Sequence, residues 1–569
     1  MHTTTANGIR ITPPPDFPVA WHTPEWADYH WTRDREHMPD PITPMFDSAA
    51  ALMAIPAHVR TVPVYEEAIV RRRDVRINTY IYTTLLPFTG NPTELAERAR
   101  RNREKVSAVA LRLEEIWERE WKPEFEALWA FWERFDLKSA DMQALRAHLE
   151  ESLERGSRLY ELHNLMGPPM WFAIDEFETF YCDLFPGKSK LDAHRLLQGF
   201  DNKTLEIGRA LWRLRDLAVM SPPVCACFTG FPTFQVIHAL SAFAEGQAFL
   251  KELRAFLRAF GGRSSLWDWG YPSWEDDPTP VINNLKNYLA QPARDLAAEL
   301  AQAAAEREAA IAAARQALRD YPGPVVETFE RLLRAAQTAL TLTENHTYYI
   351  DFNGFGWIHR VLHEVGVRLA AQDQLAHADD IFYLTIQELR ALLDGDTQDY
   401  RSLAAQARAE IGRWALYEEP RELGTRPNIP VVLYSPDARR MLRYIGGLVG
   451  EPAGDSATTP LEPGLLRGQG GSSGKVRGLA RVILSLEDAY RLCPGDILVT
   501  PTTAPPWTPL FLTAAAVVTD AGGLLSHGAV VSREYRIPAV VGTRYATTTI
   551  ADGQLIEVDG DSGTVRILE

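Results

Sequence analysis

The sequence predicts a multidomain α+β protein: a large, mainly α-helical part followed by a small β-rich domain. Three observations carry this. Apolar residues recur at helical spacing behind recognisable caps from about residue 91 to 449. A Gly-, Pro-, Ser- and Thr-rich stretch, GEPAGDSATTPLEPG, follows at 450–464. Beyond it, short β-branched runs alternate with Gly and Pro to the end of the chain. The expected division is 1–449, a linker at 450–466, and 467–569. At 569 residues the chain has room for roughly three or four domain-sized units.

Taken in order, the first ninety residues are rich in Pro and Trp and read as an irregular wrapping segment. The run Arg71-Arg72-Arg73 either meets an anion or is a solvated charge cluster. RINTYIYTTL, residues 76–85, alternates like a strand. Asn91-Pro92-Thr93-Glu94 sets a cap, a first-turn proline and a capping-box glutamate in register, with Val106, Val109, Leu113 and Ile116 on one face behind it. Pro123 interrupts this helix, and an aromatic stripe at 124–135 resumes it as core packing. An Ala-rich helix at 293–321 ends at Pro322-Gly323-Pro324. The linker residues 451–466 would span ~20–24 Å on average and about 50 Å when extended, enough for a tethered domain to visit two sites.

Composition excludes several classes. A net charge of −16 argues against a nucleic-acid binder. Four cysteines make no disulfide framework, which points to a reducing cytoplasm, and Cys225-Ala-Cys227 has no second pair to complete a metal site. There is no signal-peptide pattern and no apolar run near ~18 residues, so a protein without a membrane span is expected.

The densest chemistry lies at 519–543, TDAGGLLSHGAVVSREYRIPAVVGT. A small-residue strand leads into Gly522-Gly523. Ser526 stands at the cap, and His527 opens a helix that Pro538 stops. Unpaired N–H groups and the positive helix end favour a neutral, nucleophilic imidazole and an anion beside it. Gly522, Gly523 and Gly528 admit a close approach, and Arg533 offers an oxygen clamp.

With GGSSGKVRGLARVI, PGDILVTPTTAPPWTPLF and DGQLIEVDGDSGTVRI, this stretch resembles the phosphohistidine swivelling, or mobile, domain of PEP-utilising enzymes over about the last hundred residues. The resemblance implies that 467–569 is a β/β/α domain in which His527 carries a phosphoryl group, cradled by Gly522, Gly523, Ser526, Gly528 and Arg533. Segments 196–214, 260–278 and 379–389 are similar to the substrate domains of rifampin phosphotransferase and of the phosphohistidine subunit of phenylphosphate synthase. No nucleotide-binding loop is evident. By this resemblance ATP and Mg²⁺ belong on a separate ATP-grasp partner, the β-phosphoryl moves, and AMP and phosphate are left. The acceptor expected is a small hydroxylated molecule, a phenol. The alternatives are a rifamycin-type antibiotic and a non-catalytic phosphocarrier that binds no small substrate.

Acceptor chemistry needs a base and groups that orient the hydroxyl. Segment 344–364, ENHTYYIDFNGFGWIHRVLHE, supplies His346 as proton acceptor, Asp351 to orient it, and Tyr348 or Tyr349 to bond the substrate. The competing reading makes His346 a satisfied helix histidine and the tyrosines core. Rifampin phosphotransferases have Arg and Lys at the positions aligned with Glu344 and Tyr348, a departure that turns the expectation toward a phenol. Arg263 either presents its guanidinium to phosphate or pairs with Asp268 or Glu275, and Asn202 and Lys203 either line the cavity or cap a helix. His359 and His363 share a helix face but lack a third ligand, and Asp379-Asp380 precedes a capping box at Thr385 and Glu388. No metal is therefore expected on this chain.

Overall fold

The computed structural model describes residues 19, 21, 23–34, 37–67, 69–88, 90–264, 267–291, 294–417, 419–424 and 464–568. Helices dominate to residue 414 and the C-terminal part is built on a sheet, the α+β arrangement expected. The spine is the 43-residue helix Met142–Leu184, capped by Asp141, whose side chain accepts from the Ala144 N–H. Packed on it are the helices Pro44–Tyr65, Gly323–Thr347 and Asn353–Ala371. The predicted capping box is present: Asn91 Oδ1 accepts from Thr93 and Glu94 N–H, and Glu94 accepts from Asn91 N–H.

The N-terminal segment is more regular than its composition suggests. Pro44–Tyr65 is a helix despite Pro56 and Pro63 within it, and those two prolines hid it from a propensity reading. The expected single strand at 76–85 is a hairpin of Ile69–Ile77 and Tyr80–Pro87. Asn78 and Thr79 reverse the chain with φ of 47° and 74°, the left-handed pair that tight hairpins need. Trp31–Arg33 and Glu422–Leu423 complete this four-stranded antiparallel sheet.

Two places widen the helical ladder to i→i+5 bonding, at Trp117–Trp121 and Tyr348–Phe352. The first, just ahead of Pro123, lets the chain run on into Lys122–Glu133. The second joins Gly323–Thr347 to Asn353–Ala371 and turns extra residues toward the interior.

The C-terminal sheet has eight strands in spatial order Leu465–Arg467, Thr564–Ile567, Leu555–Asp559, Lys475–Val482, Ile497–Thr500, Ala516–Thr519, Ala539–Val541 and Gln469–Ser472. Lys475–Val482, Ile497–Thr500, Ala516–Thr519 and Ala539–Val541 pair in parallel, and the flanks are antiparallel. Of the expected linker, 450–463 lies outside the described residues, and Leu465 and Leu466 already belong to a strand. The sheet domain rests on the helical part: one apolar cluster joins Leu205, Leu211 and Trp212 to Leu510, Phe511 and Val531. Among the described residues no helix is long and apolar enough to cross a membrane.

Candidate functional site

Strand Ala516–Thr519 is buried throughout and delivers the chain to Gly522, whose φ of +107° makes the turn that a side chain would strain. Ser526 stands at the N-cap with extended backbone, yet its hydroxyl donates to the Gly523 carbonyl and does not cap the helix. Helix His527–Glu534 then begins. A Cβ on Gly528 would come within 2.7 Å of the Thr503 hydroxyl, so this turn packs against its neighbour only with glycine there.

His527 points from this turn into the helical part of the molecule. Its Nδ1 lies 3.3 Å from Glu344 Oε2, its Nε2 lies 3.1 Å from the Thr508 hydroxyl, and its ring meets Phe511 edge-on. Glu344 is buried and also accepts from the Thr204 hydroxyl at 2.6 Å. Burial would raise the Glu344 carboxyl, but the contacts with His527 and Thr204 outweigh it and hold the group below the usual carboxylate value. With the Nδ1 proton facing this carboxylate, Nε2 is left as the nucleophilic nitrogen.

His527 and Ser526 close one side of a cavity of ≈ 390 Å³, a size suited to a small molecule. Phe46, Tyr160, Trp171 and Trp267 supply its aromatic wall. His346 and His163 face it with ring centroids 5.2 Å apart. His346 Nδ1 donates to the Leu342 carbonyl at 3.0 Å, which leaves the Nε2 lone pair available. Burial holds His346 below the ordinary histidine value, and burial together with the neighbouring His346 pushes His163 down to about 3. Burial raises Asp351 well above the usual carboxylate value.

Several expected site residues lie elsewhere. Tyr349 is core, packed on Trp117, Phe125 and Trp129, and Tyr348 sits against Trp129 and Phe260. Neither lines the cavity. Arg263 is 1% exposed. Its Nε donates to the Phe260 carbonyl and its guanidinium lies over Trp274 and Phe352, so it presents nothing to a phosphate. It also pairs with neither expected acid: Asp268 bonds Thr43, and Glu275 takes Arg360. Asn202 is a helix cap accepting from Leu205 N–H, and Lys203 pairs with Glu206 over the Tyr348 ring. Arg533 is buried and donates to the Gly471 and Leu524 carbonyls, which makes it a strut of the domain and removes it as an oxygen clamp. Asp351 does not orient His346, because the Leu342 carbonyl does so.

Other expectations sort the same way. His359 bonds Asp276, and His363 pairs with Asp379, so each has its own carboxylate. Arg72 lines the cavity, but its guanidinium is engaged by Asp74. Sequence reasoning missed Glu344 as the partner of His527, and it missed His163 and Thr508. Glu344 and His163 lie far from His527 in the chain and carry no local motif, and Thr508 lies within PGDILVTPTTAPPWTPLF, where nothing local marks it as the ring's partner.

A family model described as the rifampicin phosphotransferase fourth domain matches residues 176–344, and one described as the PEP-utilising enzyme mobile domain matches 492–563. The chain is 38% identical over 569 residues to the chondramide synthase cmdD of Chondromyces crocatus, covering 98% of this chain and 14% of that protein. It is 29% identical over 440 residues to the uncharacterised phosphotransferase YvkC of Bacillus subtilis, covering 76% and 51%. It is 32% identical over 381 residues to a rifampicin phosphotransferase of Bacillus cereus, covering 64% and 40%. The chain therefore spans between 14% and 51% of the length of these relatives. The first matched segment ends at Glu344 and the second contains His527, so the two matched segments meet where these side chains touch, and the chain carries the mobile domain of PEP-utilising enzymes.

Proposed function

We propose that this chain is the phosphohistidine and acceptor part of a phosphotransferase. His527 Nε2 takes a phosphoryl group and passes it to a hydroxyl of a small aromatic acceptor held in the ≈ 390 Å³ cavity. The observation that carries this reading is the placement of His527 in the cavity wall with Nδ1 against the buried Glu344 carboxylate. Glu344 holds the tautomer that leaves Nε2 nucleophilic, and it stabilises the ring when Nε2 bears phosphorus. On transfer the P–N bond breaks, the electron pair returns to Nε2, and the acceptor oxygen bonds to phosphorus. The hydroxyl proton passes to the Nε2 lone pair of His346, whose Nδ1–H is held by the Leu342 carbonyl.

The donor in this reading is ATP with Mg²⁺ on a separate ATP-grasp unit, reached when the sheet domain swings away. The cavity at His346 favours an acceptor-binding role over a pure phosphocarrier, and its aromatic wall suits a phenol. A second acceptor class, a rifamycin-type antibiotic, is favoured by the 32% identity to a rifampicin phosphotransferase.

The test incubates the chain with an ATP-grasp unit and ATP labelled in its β-phosphoryl group, comparing wild type with His527→Gln. Label should attach to wild type alone and then chase to phenols or to rifamycins. Label on both proteins, or on neither with a competent donor unit, sinks the proposal.

A further inference from the structure

We propose that His163, His346 and Asp351 bind a divalent first-row transition ion of the zinc type at the acceptor end of the cavity. One donor atom from each of the three lies within 4.8 Å of the other two. Small side-chain rotations would bring all three to the ~2.0–2.2 Å that nitrogen and carboxylate ligands take on zinc. Two imidazoles and one carboxylate suit zinc, cobalt or iron, whereas magnesium and calcium prefer sites built from oxygen.

Three features of the fold point to a ligand here. His346 donates Nδ1–H to the Leu342 carbonyl, which fixes its tautomer with Nε2 outward, and ligating histidines make this same outer contact. Asp351 Oδ2 is buried without a hydrogen-bond partner, a costly state that a cation relieves. The widened turn Tyr348–Phe352 is the backbone device that unites them. In a regular α-helix a residue five places on from His346 would point away, and i→i+5 bonding brings Asp351 back toward the same side.

His163 and His346 line the large cavity, and Asp351 lines a small one beside it, with Trp267 in both walls. An ion among them would have three protein ligands and an open position toward the acceptor. Its role in transfer rests on the function proposed above, whereas the binding does not. The ion would coordinate the acceptor hydroxyl and lower its pKa, so that the proton is released to water. The oxygen then attacks the phosphorus on His527, forming the O–P bond as the P–N bond breaks. In this form His346 is a ligand, no longer the proton acceptor.

The experiment strips the chain with a chelator and titrates it with Co²⁺, following visible absorption and, for Zn²⁺, bound metal by elemental analysis. Wild type should take up a single equivalent and develop the intense bands of a low-coordinate Co²⁺ site. His163→Gln and Asp351→Asn, checked for folding by circular dichroism, should weaken binding by at least about tenfold, and His527→Gln should not. Uptake by wild type with only the faint spectrum of fully hydrated Co²⁺, or equal binding by folded His163→Gln and Asp351→Asn, overturns the proposal. If a variant does not fold, the wild-type spectrum decides. Metal uptake by a chain that never labels on His527 would retain the site and remove the proposed function. Labelling by a chain that never takes up metal would do the reverse.

Discussion

Glu344 shows how one buried side chain can set the chemistry of another. It takes the Thr204 hydroxyl on the oxygen that also faces His527 Nδ1, so the carboxylate is held in place before any substrate arrives. Glu344→Gln keeps the shape and loses the charge. The tautomer of His527 is then no longer enforced, and phosphoryl transfer through His527, measured by rapid-quench labelling, should fall by about 10²–10⁴-fold. Unchanged rates would remove Glu344 from the mechanism. Thr508 is the second contact of the ring, at 3.1 Å from Nε2, and it must yield that position to the incoming phosphorus.

The helix His527–Glu534 does two things at its two ends. Its first residue faces the cavity, and its last, Glu534, accepts from the Gly199 N–H of the helical part at 2.9 Å. Burial pushes Glu534 up to about 7, against the lowering effects of the Gly199 bond and the Arg533 charge. Once the domain is undocked and Glu534 is in water, its pKa returns to about 4.3. Between these values the docked form keeps a proton that the undocked form has lost, so low pH favours docking. The advantage is complete below the lower value and is lost as pH rises through about 7. The difference is on the order of 3 kcal/mol. Fluorescence transfer between labels on the two parts should therefore drop as pH rises across this window, and Glu534→Gln should flatten the response. An identical slope in the variant would refute the assignment.

Across the whole molecule, the docked arrangement is held by apolar contact and by a few directed bonds. Tyr288 donates to the Pro509 carbonyl at 2.7 Å, Gln291 donates to the Thr513 hydroxyl at 2.8 Å, and Arg536 pairs with Glu306. Tyr288→Phe leaves the Pro509 carbonyl unbonded at a buried interface, a loss of ~1–3 kcal/mol. Small-angle scattering should then report a larger radius of gyration, because the undocked population grows by about one to two powers of ten. An unchanged radius would mean that the apolar cluster alone holds the domain down.

What the sequence determined on its own is local. His527 after a glycine turn, the capping box at Asn91 and Glu94, and the β runs of the last hundred residues were legible because capping, φ > 0 and strand patterning are written within a few neighbouring positions. The helix Pro44–Tyr65 and the hairpin turn at Asn78 and Thr79 were not, since internal prolines and a short reversal mislead a periodicity reading. Only the tertiary structure decided which polar side chains meet. It put Glu344 against His527 and His163 beside His346, and it assigned Arg263, Arg533 and Tyr349 to packing. Each of these outcomes depends on contacts between distant segments, or on a ladder widened by a single residue, and neither leaves a mark in the local order of residues.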